Sequence, residues 1–69
     1  MADLTRRQLD ALVMLRFRIE RSGAPVPVSG QLEAELAPLV DAGLVERDGA
    51  LWRLTAAGDA VAPRDNYVQ

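Results

Sequence analysis

From Ser29 to Thr55 the chain reads SGQLEAELAPLVDAGLVERDGALWRLT, and the order of residues there admits few folds. Leu32, Leu36, Leu39 and Val40 recur at helical spacing, which gives one apolar face. Gly43 follows as a stop, because glycine takes the left-handed C-terminal conformation without a Cβ clash. Asp48-Gly49 then separates two short runs, LVER and ALWR, and an Asp-Gly pair in that setting is a strong hairpin signal. The stretch therefore demands a helix, a stop and a tight hairpin, in that order. Thr55 caps a last short helix, Ala56 to Ala62, weakened by Gly58 and ended by Pro63.

Pro38 is the awkward residue in the helix. An interior proline removes one backbone bond and clashes with the carbonyl four residues back, at a cost of about 3 kcal/mol. Either one kinked helix runs from Gly30 to Ala42, or two short helices meet with Pro38 opening the second, where proline is favoured. A break or kink near Ala37-Pro38 is the preferred expectation. The hairpin leaves its register open as well. A type I′ turn sets Val45 opposite Trp52 and Glu46 opposite Leu51, and a type I turn with a Gly49 bulge shifts the pairing by one. Val45, Trp52 and Leu54 on the inner side is the favoured arrangement, with Trp52 as the largest core residue.

Upstream, Leu4-Thr5-Arg6-Arg7-Gln8-Leu9 reads as a helix start. Thr5 can accept from the Gln8 amide while the Gln8 side chain reaches back to the Thr5 amide, and a cap of this kind contributes about 1 kcal/mol. That helix should end near Arg21, at Ser22-Gly23. Leu9, Leu12, Val13, Leu15, Phe17 and Ile19 give it a wide apolar arc. Arg16 falls inside the arc, either snorkelling beside Glu20 one turn on or anchoring a ligand or partner. Pro25 and Pro27 forbid helix, so Ala24 to Val28 is a linker or a short edge strand. Ser29 should cap the next helix.

At 69 residues the chain makes one domain. We expect it to span 1–63, with 64–69 as a mobile tail. So short a chain buries only about 60% of the surface its unfolded form exposes, which leaves room for stabilisation by a partner or a homodimer. There is no Cys and no His. That removes disulfides, the thiolate and imidazole ligands of structural zinc, and the bases that activate a Ser, Thr or Cys nucleophile. Carboxylate catalysis would need two acids across a cleft, for which a domain this size has little room. We therefore expect no enzyme, no catalytic residue, no cofactor and no metal. No apolar run is long enough for a membrane span and the N-terminus does not read as a signal peptide, so the expected location is cytoplasmic.

The order of apolar helix, GLVER, short turn, LWRLT and small-residue helix resembles the recognition helix and wing of MarR-like winged-helix transcription regulators. Leu39, Gly43, Leu44, Val45, Arg47, Leu54, Thr55 and Gly58 carry the resemblance, which covers residues 36–58. It implies an α+β fold, a small winged-helix-like domain with a two-stranded β-hairpin wing. It also implies a helix for the major groove and, at Arg47, a wing arginine for phosphate or the minor groove. The chain departs from the family in having only Ser29 to Ala42 where two helices usually stand, and in lacking the long dimerisation helices.

Charge points another way. Net charge is −2, so the whole chain has no electrostatic drive towards nucleic acid. Between Ser29 and Gly43 stand Glu33, Glu35 and Asp41 and no Arg, whereas DNA affinity depends on cations that neutralise phosphates. Two readings compete. In the first, Gln31, Glu33, Glu35 and Asp41 form an acidic helix face that binds a basic protein surface. The partner would belong to a nucleic-acid-handling complex, as for a phage-type inhibitor or regulator. In the second, the chain is a DNA-binding transcriptional regulator, with Arg6, Arg7, Arg47 and Arg53 on phosphates of duplex DNA and Gln31 reading a base edge. A plainer reading of the same residues makes the acids solubilising surface groups and pairs Arg47 and Arg53 with Asp48 and Glu46.

Overall fold

The computed structural model describes residues 4–62. The expected tail at 64–69 lies outside the described residues, as do Pro63 and Met1 to Asp3. Helix α1 (Arg6–Ser22) is followed by strand β1 (Val26–Pro27), helix α2 (Gly30–Asp41), strands β2 (Val45–Asp48) and β3 (Leu51–Leu54), and helix α3 (Ala56–Val61). The fold is α+β, as expected. Among the described residues the strands form one antiparallel sheet in the order β1-β3-β2.

Local signals account for the ends of α1. The Gln8 amide donates to the Thr5 hydroxyl oxygen at 3.0 Å and the Thr5 amide donates to the Gln8 side chain at 2.9 Å, which closes the expected capping box. Gly23, at φ 78°, ends the helix and donates to the Ile19 carbonyl at 2.7 Å. Ala11, Leu12, Val13 and Leu15 are buried, but Phe17 is 53% exposed and Met14 48% exposed. Phe17 therefore does not belong to the core-facing arc assigned to it from sequence. The helix is apolar over more of its surface than the rest of the fold covers.

Helix α2 is continuous, with Pro38 inside it. Of the two readings, that of two short helices is thus corrected: there is no break at Ala37-Pro38, and the single helix stands. Ala34, whose carbonyl loses the Pro38 amide, is exposed, as is Pro38 itself, so water can serve that carbonyl. The C-terminus closes as foreseen at Gly43, which sits at φ 78°. The Leu44 amide donates to the Leu39 carbonyl at 3.1 Å and the Gly43 amide to the Val40 carbonyl at 3.0 Å, the two bonds of a Schellman motif. The N-terminus differs from expectation: Ser29 stands at the cap position but its side chain makes no capping bond. Gly30 enters the helix at φ 69°, so the first turn does not follow Ser29 in the regular way.

The hairpin pairs Val45 with Leu54, Glu46 with Arg53, Arg47 with Trp52 and Asp48 with Leu51. Neither expected register is this one. The turn residues are Gly49 and Ala50 instead of Asp48 and Gly49, and Gly49 holds a φ of 63° at the first central position, where the tight hairpin turns need a positive φ. Relative to the type I′ pairing the shift is two residues, and an even shift keeps every side chain on its face. Val45 and Trp52 are accordingly buried and Leu54 partly so, on the inner side as favoured. The Ala24–Val28 segment supplies an edge strand: Val26 pairs with Trp52, and Pro27, which lacks an amide, sits opposite Leu51.

Trp52 therefore lies on the central strand between β1 and β2 and is 1% exposed. Leu12 and Leu15 of α1, Leu36 and Leu39 of α2, and Val26, Val28 and Val45 join it in one core. Thr55 clasps α3 to this body. Its amide donates to the Leu44 carbonyl at 3.1 Å, and its hydroxyl donates to the Gly43 carbonyl at 2.6 Å and accepts from the Gly58 amide at 3.0 Å. Gly58 is buried against the same turn, and a Cβ there would overlap the Leu44 carbonyl oxygen. The sequence treats Gly58 as a weak point of α3. In the fold its missing side chain is what allows α3 to dock.

Two outcomes follow for stability. Gly58→Ala should destabilise the protein by about 2 kcal/mol or more, because the backbone at Leu44 has to move. Intrinsic helix propensity alone predicts the opposite sign, a gain of about 1 kcal/mol, so urea unfolding separates the two. Pro38→Ala should raise stability by about 1–2 kcal/mol. The restored backbone bond outweighs the greater freedom of the unfolded chain. A loss in the same assay would reveal a packed role for Pro38.

Candidate functional site

The sequence nominates two groups of residues, an acidic one on α2 and a basic one on α1 and the wing, as rivals. The fold brings them together. The Glu33 carboxylate lies 3.4 Å from the Arg47 guanidinium, and Glu35 lies 3.8 Å from that of Arg7. The Gln31 side-chain Nε2 donates to the Glu35 carboxylate at 2.9 Å. Arg53 reaches Glu46, its cross-strand neighbour, at 2.7 Å. Arg6 turns along α1 to Asp10 at 3.3 Å. Asp41 and Asp48 are exposed and face no cation within ion-pair distance among the described residues.

Strand parity decides the partner of Arg47. Arg47 sits directly opposite Trp52, so its side chain leaves the sheet on the inner face, where α2 packs. Asp48, one residue on, leaves on the outer face, and the expected Arg47–Asp48 pair cannot form across the strand. The guanidinium instead lies 5.0 Å from the centroid of the Trp52 ring, and its Nε donates to the Gly49 carbonyl at 3.0 Å. A cation over an indole face at this distance is attracted by the ring quadrupole. Arg47 thus joins Trp52, the turn and Glu33 in one contact set at the edge of the core. Arg53 and Glu46 share the outer face and pair there, as the plainer reading had it.

The four ion pairs just described involve side chains that are at least partly exposed, so each contributes about 0–1 kcal/mol and can be opened by a partner. Their larger effect is positional: Arg7 and Arg47 hold the Glu35 and Glu33 carboxylates at defined places on α2. Among the described residues no group of three or more His, Cys, Asp or Glu is placed to hold a metal ion. No helix there is long and apolar enough to cross a membrane.

Arg16 departs from the reading that has it snorkel beside Glu20. It does not pair with Glu20. Its guanidinium donates to the Ala62 carbonyl at 3.2 Å and lies 3.9 Å from Asp59, which ties α1 to α3. With its side chain only 11% exposed, Arg16 is a structural tie. No local pattern announces that contact, because its partners lie more than forty residues along the chain.

No protein-family model, no curated protein and no solved structure matches the chain.

Arg47→Ala should cost about 1 kcal/mol, from the lost ring contact and ion pair together. It should also uncover one face of Trp52, the sole tryptophan. The expected readout is a red-shifted emission and easier acrylamide quenching in the folded state. An unchanged spectrum would mean that Arg47 does not cover the ring in solution.

Proposed function

We propose that this chain is a small non-enzymatic binding module that offers α2 and the wing to a basic protein surface. Gln31, Glu33, Glu35 and Asp41 are the contact residues of that reading. The observation that carries it is that the cations nominated for phosphate are already paired. Arg7, Arg47 and Arg53 each lie against a carboxylate, and Asp41 and Asp48 are left without a cation beside them among the described residues. A duplex would have to take Arg47 from Glu33 and Arg7 from Glu35, and would then meet the freed acids. A basic protein surface meets a net negative field, and complementary charge of this kind raises the association rate and excludes wrong partners. Proteins that handle nucleic acids carry such basic surfaces, which makes them the natural partner class.

A second reading, a DNA-binding regulator of MarR-like type, draws support from one feature. The hairpin follows α2 directly and carries Arg47 near its tip, the order found in a recognition helix and wing.

A Glu33→Gln, Glu35→Gln double variant separates the readings. It should fold with a stability change of about 1 kcal/mol, because each acid pairs with an exposed arginine and glutamine keeps the size and one acceptor of each side chain. A labelled Arg/Lys-rich helical peptide should bind the wild type in a salt-sensitive way and bind the variant several-fold more weakly. A random-sequence duplex should bind the wild type poorly and the variant better, since Arg7 and Arg47 are released. Tight duplex binding by wild type at physiological salt, unchanged in the variant, would overturn the protein-binding reading.

A further inference from the structure

The face of α1 turned away from the core has an order of its own. Asp10, Met14, Phe17 and Arg21 stand at i, i+4, i+7 and i+11. At 3.6 residues per turn these four fall within about 60° of one another, a narrow seam along the helix. The spacing is the alternating three-and-four step of a coiled-coil seam. Met14 is 48% and Phe17 53% exposed, the Asp10 side chain is 45% exposed, and Arg21 is exposed. Arg21 makes no ion pair among the described residues. The seam thus runs acid, apolar, apolar, base.

That order is self-complementary in one orientation. If a second α1 lies antiparallel across the first, Asp10 faces the partner's Arg21 and Met14 faces the partner's Phe17. The two-fold axis repeats both contacts. A parallel pair would set Asp10 against its own copy and Arg21 against its own copy, which is repulsive at both ends. The central layers place a thioether against an aromatic ring, a favourable contact in its own right. Beside Met14 a shallow groove between α1 and α2, lined by Ala11, Leu32 and Glu35 among others, gives the partner's Phe17 ring space to settle.

We infer that α1 is the seam of an antiparallel, two-fold symmetric homodimer of this chain, held by two Met14–Phe17 layers and closed by two Asp10–Arg21 pairs. The groove that receives Phe17 shares Gln31 and Glu35 with the candidate face on α2, but the seam itself is made by Asp10, Met14, Phe17 and Arg21, so the dimer does not rest on the function proposed above. One helix pair buries less than a standard interface of about 1,600 Å². The dissociation constant should accordingly be micromolar or weaker, not nanomolar.

Sedimentation equilibrium on the full chain, from low micromolar to about millimolar protein, tests this directly. Wild type should follow a monomer–dimer equilibrium, and Phe17→Glu should remove the dimer. Asp10→Arg alone and Arg21→Asp alone should each weaken association by about tenfold or more, since each sets like charges face to face. The double variant Asp10→Arg, Arg21→Asp should recover association. Mixing the two single variants should give a heterodimer, because each then supplies the charge that the other lacks. Circular dichroism and urea unfolding of each variant show whether it is folded, and the mixing result cannot arise from a folding defect. A wild type that stays monomeric throughout would overturn the inference. So would single reversals that leave association unchanged, or a mixture that does not associate. If the wild type is monomeric and binds an acidic peptide or anionic vesicles through Phe17, the seam has a different occupant and the inference fails.

Discussion

Trp52 sits where three parts of the chain have to meet. It is on the central strand, with Val26 beside it on one side and Arg47 on the other, and it shares a core with leucines of α1 and α2. An indole buries roughly 150–250 Å² of surface, a large share of what a domain this small can remove from water. Both neighbouring strands are short, and β1 is only two residues long. Strands of that length do not hold a sheet together through backbone bonds alone. What keeps them in place is the side chain between them, which must be covered from above by helices and from both flanks by strands.

That requirement extends outward to the charges. Covering the outer edge of the indole falls to Arg47, whose guanidinium lies over the ring. Once there, the cation is within reach of Glu33 on α2. Arg47, which the resemblance to MarR-like regulators would put on DNA, is thereby committed to the edge of the core and to an acid. The same economy recurs on the other side of α2, two residues on, where Arg7 meets Glu35. The surface of α2 and the hairpin is left with carboxylates in excess, and it is this excess, more than the shape of the fold, on which the proposal of a basic protein partner rests.

Close approach of backbone is the second constraint. The turn after α2 presents the Gly43 and Leu44 carbonyls to Thr55, and Gly58 lets α3 press against the same turn. With α3 docked there, Arg16 can reach the Ala62 carbonyl and Asp59. The core thus closes along one side of α1 only. The opposite side keeps Met14 and Phe17 in water, an unfavourable arrangement for a domain with little apolar burial to spare, and one that a second copy would relieve.

The punctuation of the chain is written in its local residue order. The Thr5–Gln8 box, the stops at Gly23 and Gly43, the Thr55 cap and the inward side of Val45, Trp52 and Leu54 were all legible. Each depends on backbone bonds spanning a few residues or on the two-residue period of a strand, although Ser29, read by the same local logic, makes no capping bond. The tertiary structure decided the rest: the hairpin register, the continuity of α2 through Pro38, the partner of Arg47, the role of Gly58, the tie made by Arg16 and the exposure of Phe17. Each of these depends on what stands opposite a residue in space. Two registers that differ by an even step present identical faces, so hydrophobic pattern cannot tell them apart, and only turn geometry chooses. A proline is tolerable in a helix when its orphaned carbonyl faces water, and a glycine is indispensable when another backbone carbonyl lies against it. Neither circumstance exists until the elements have packed.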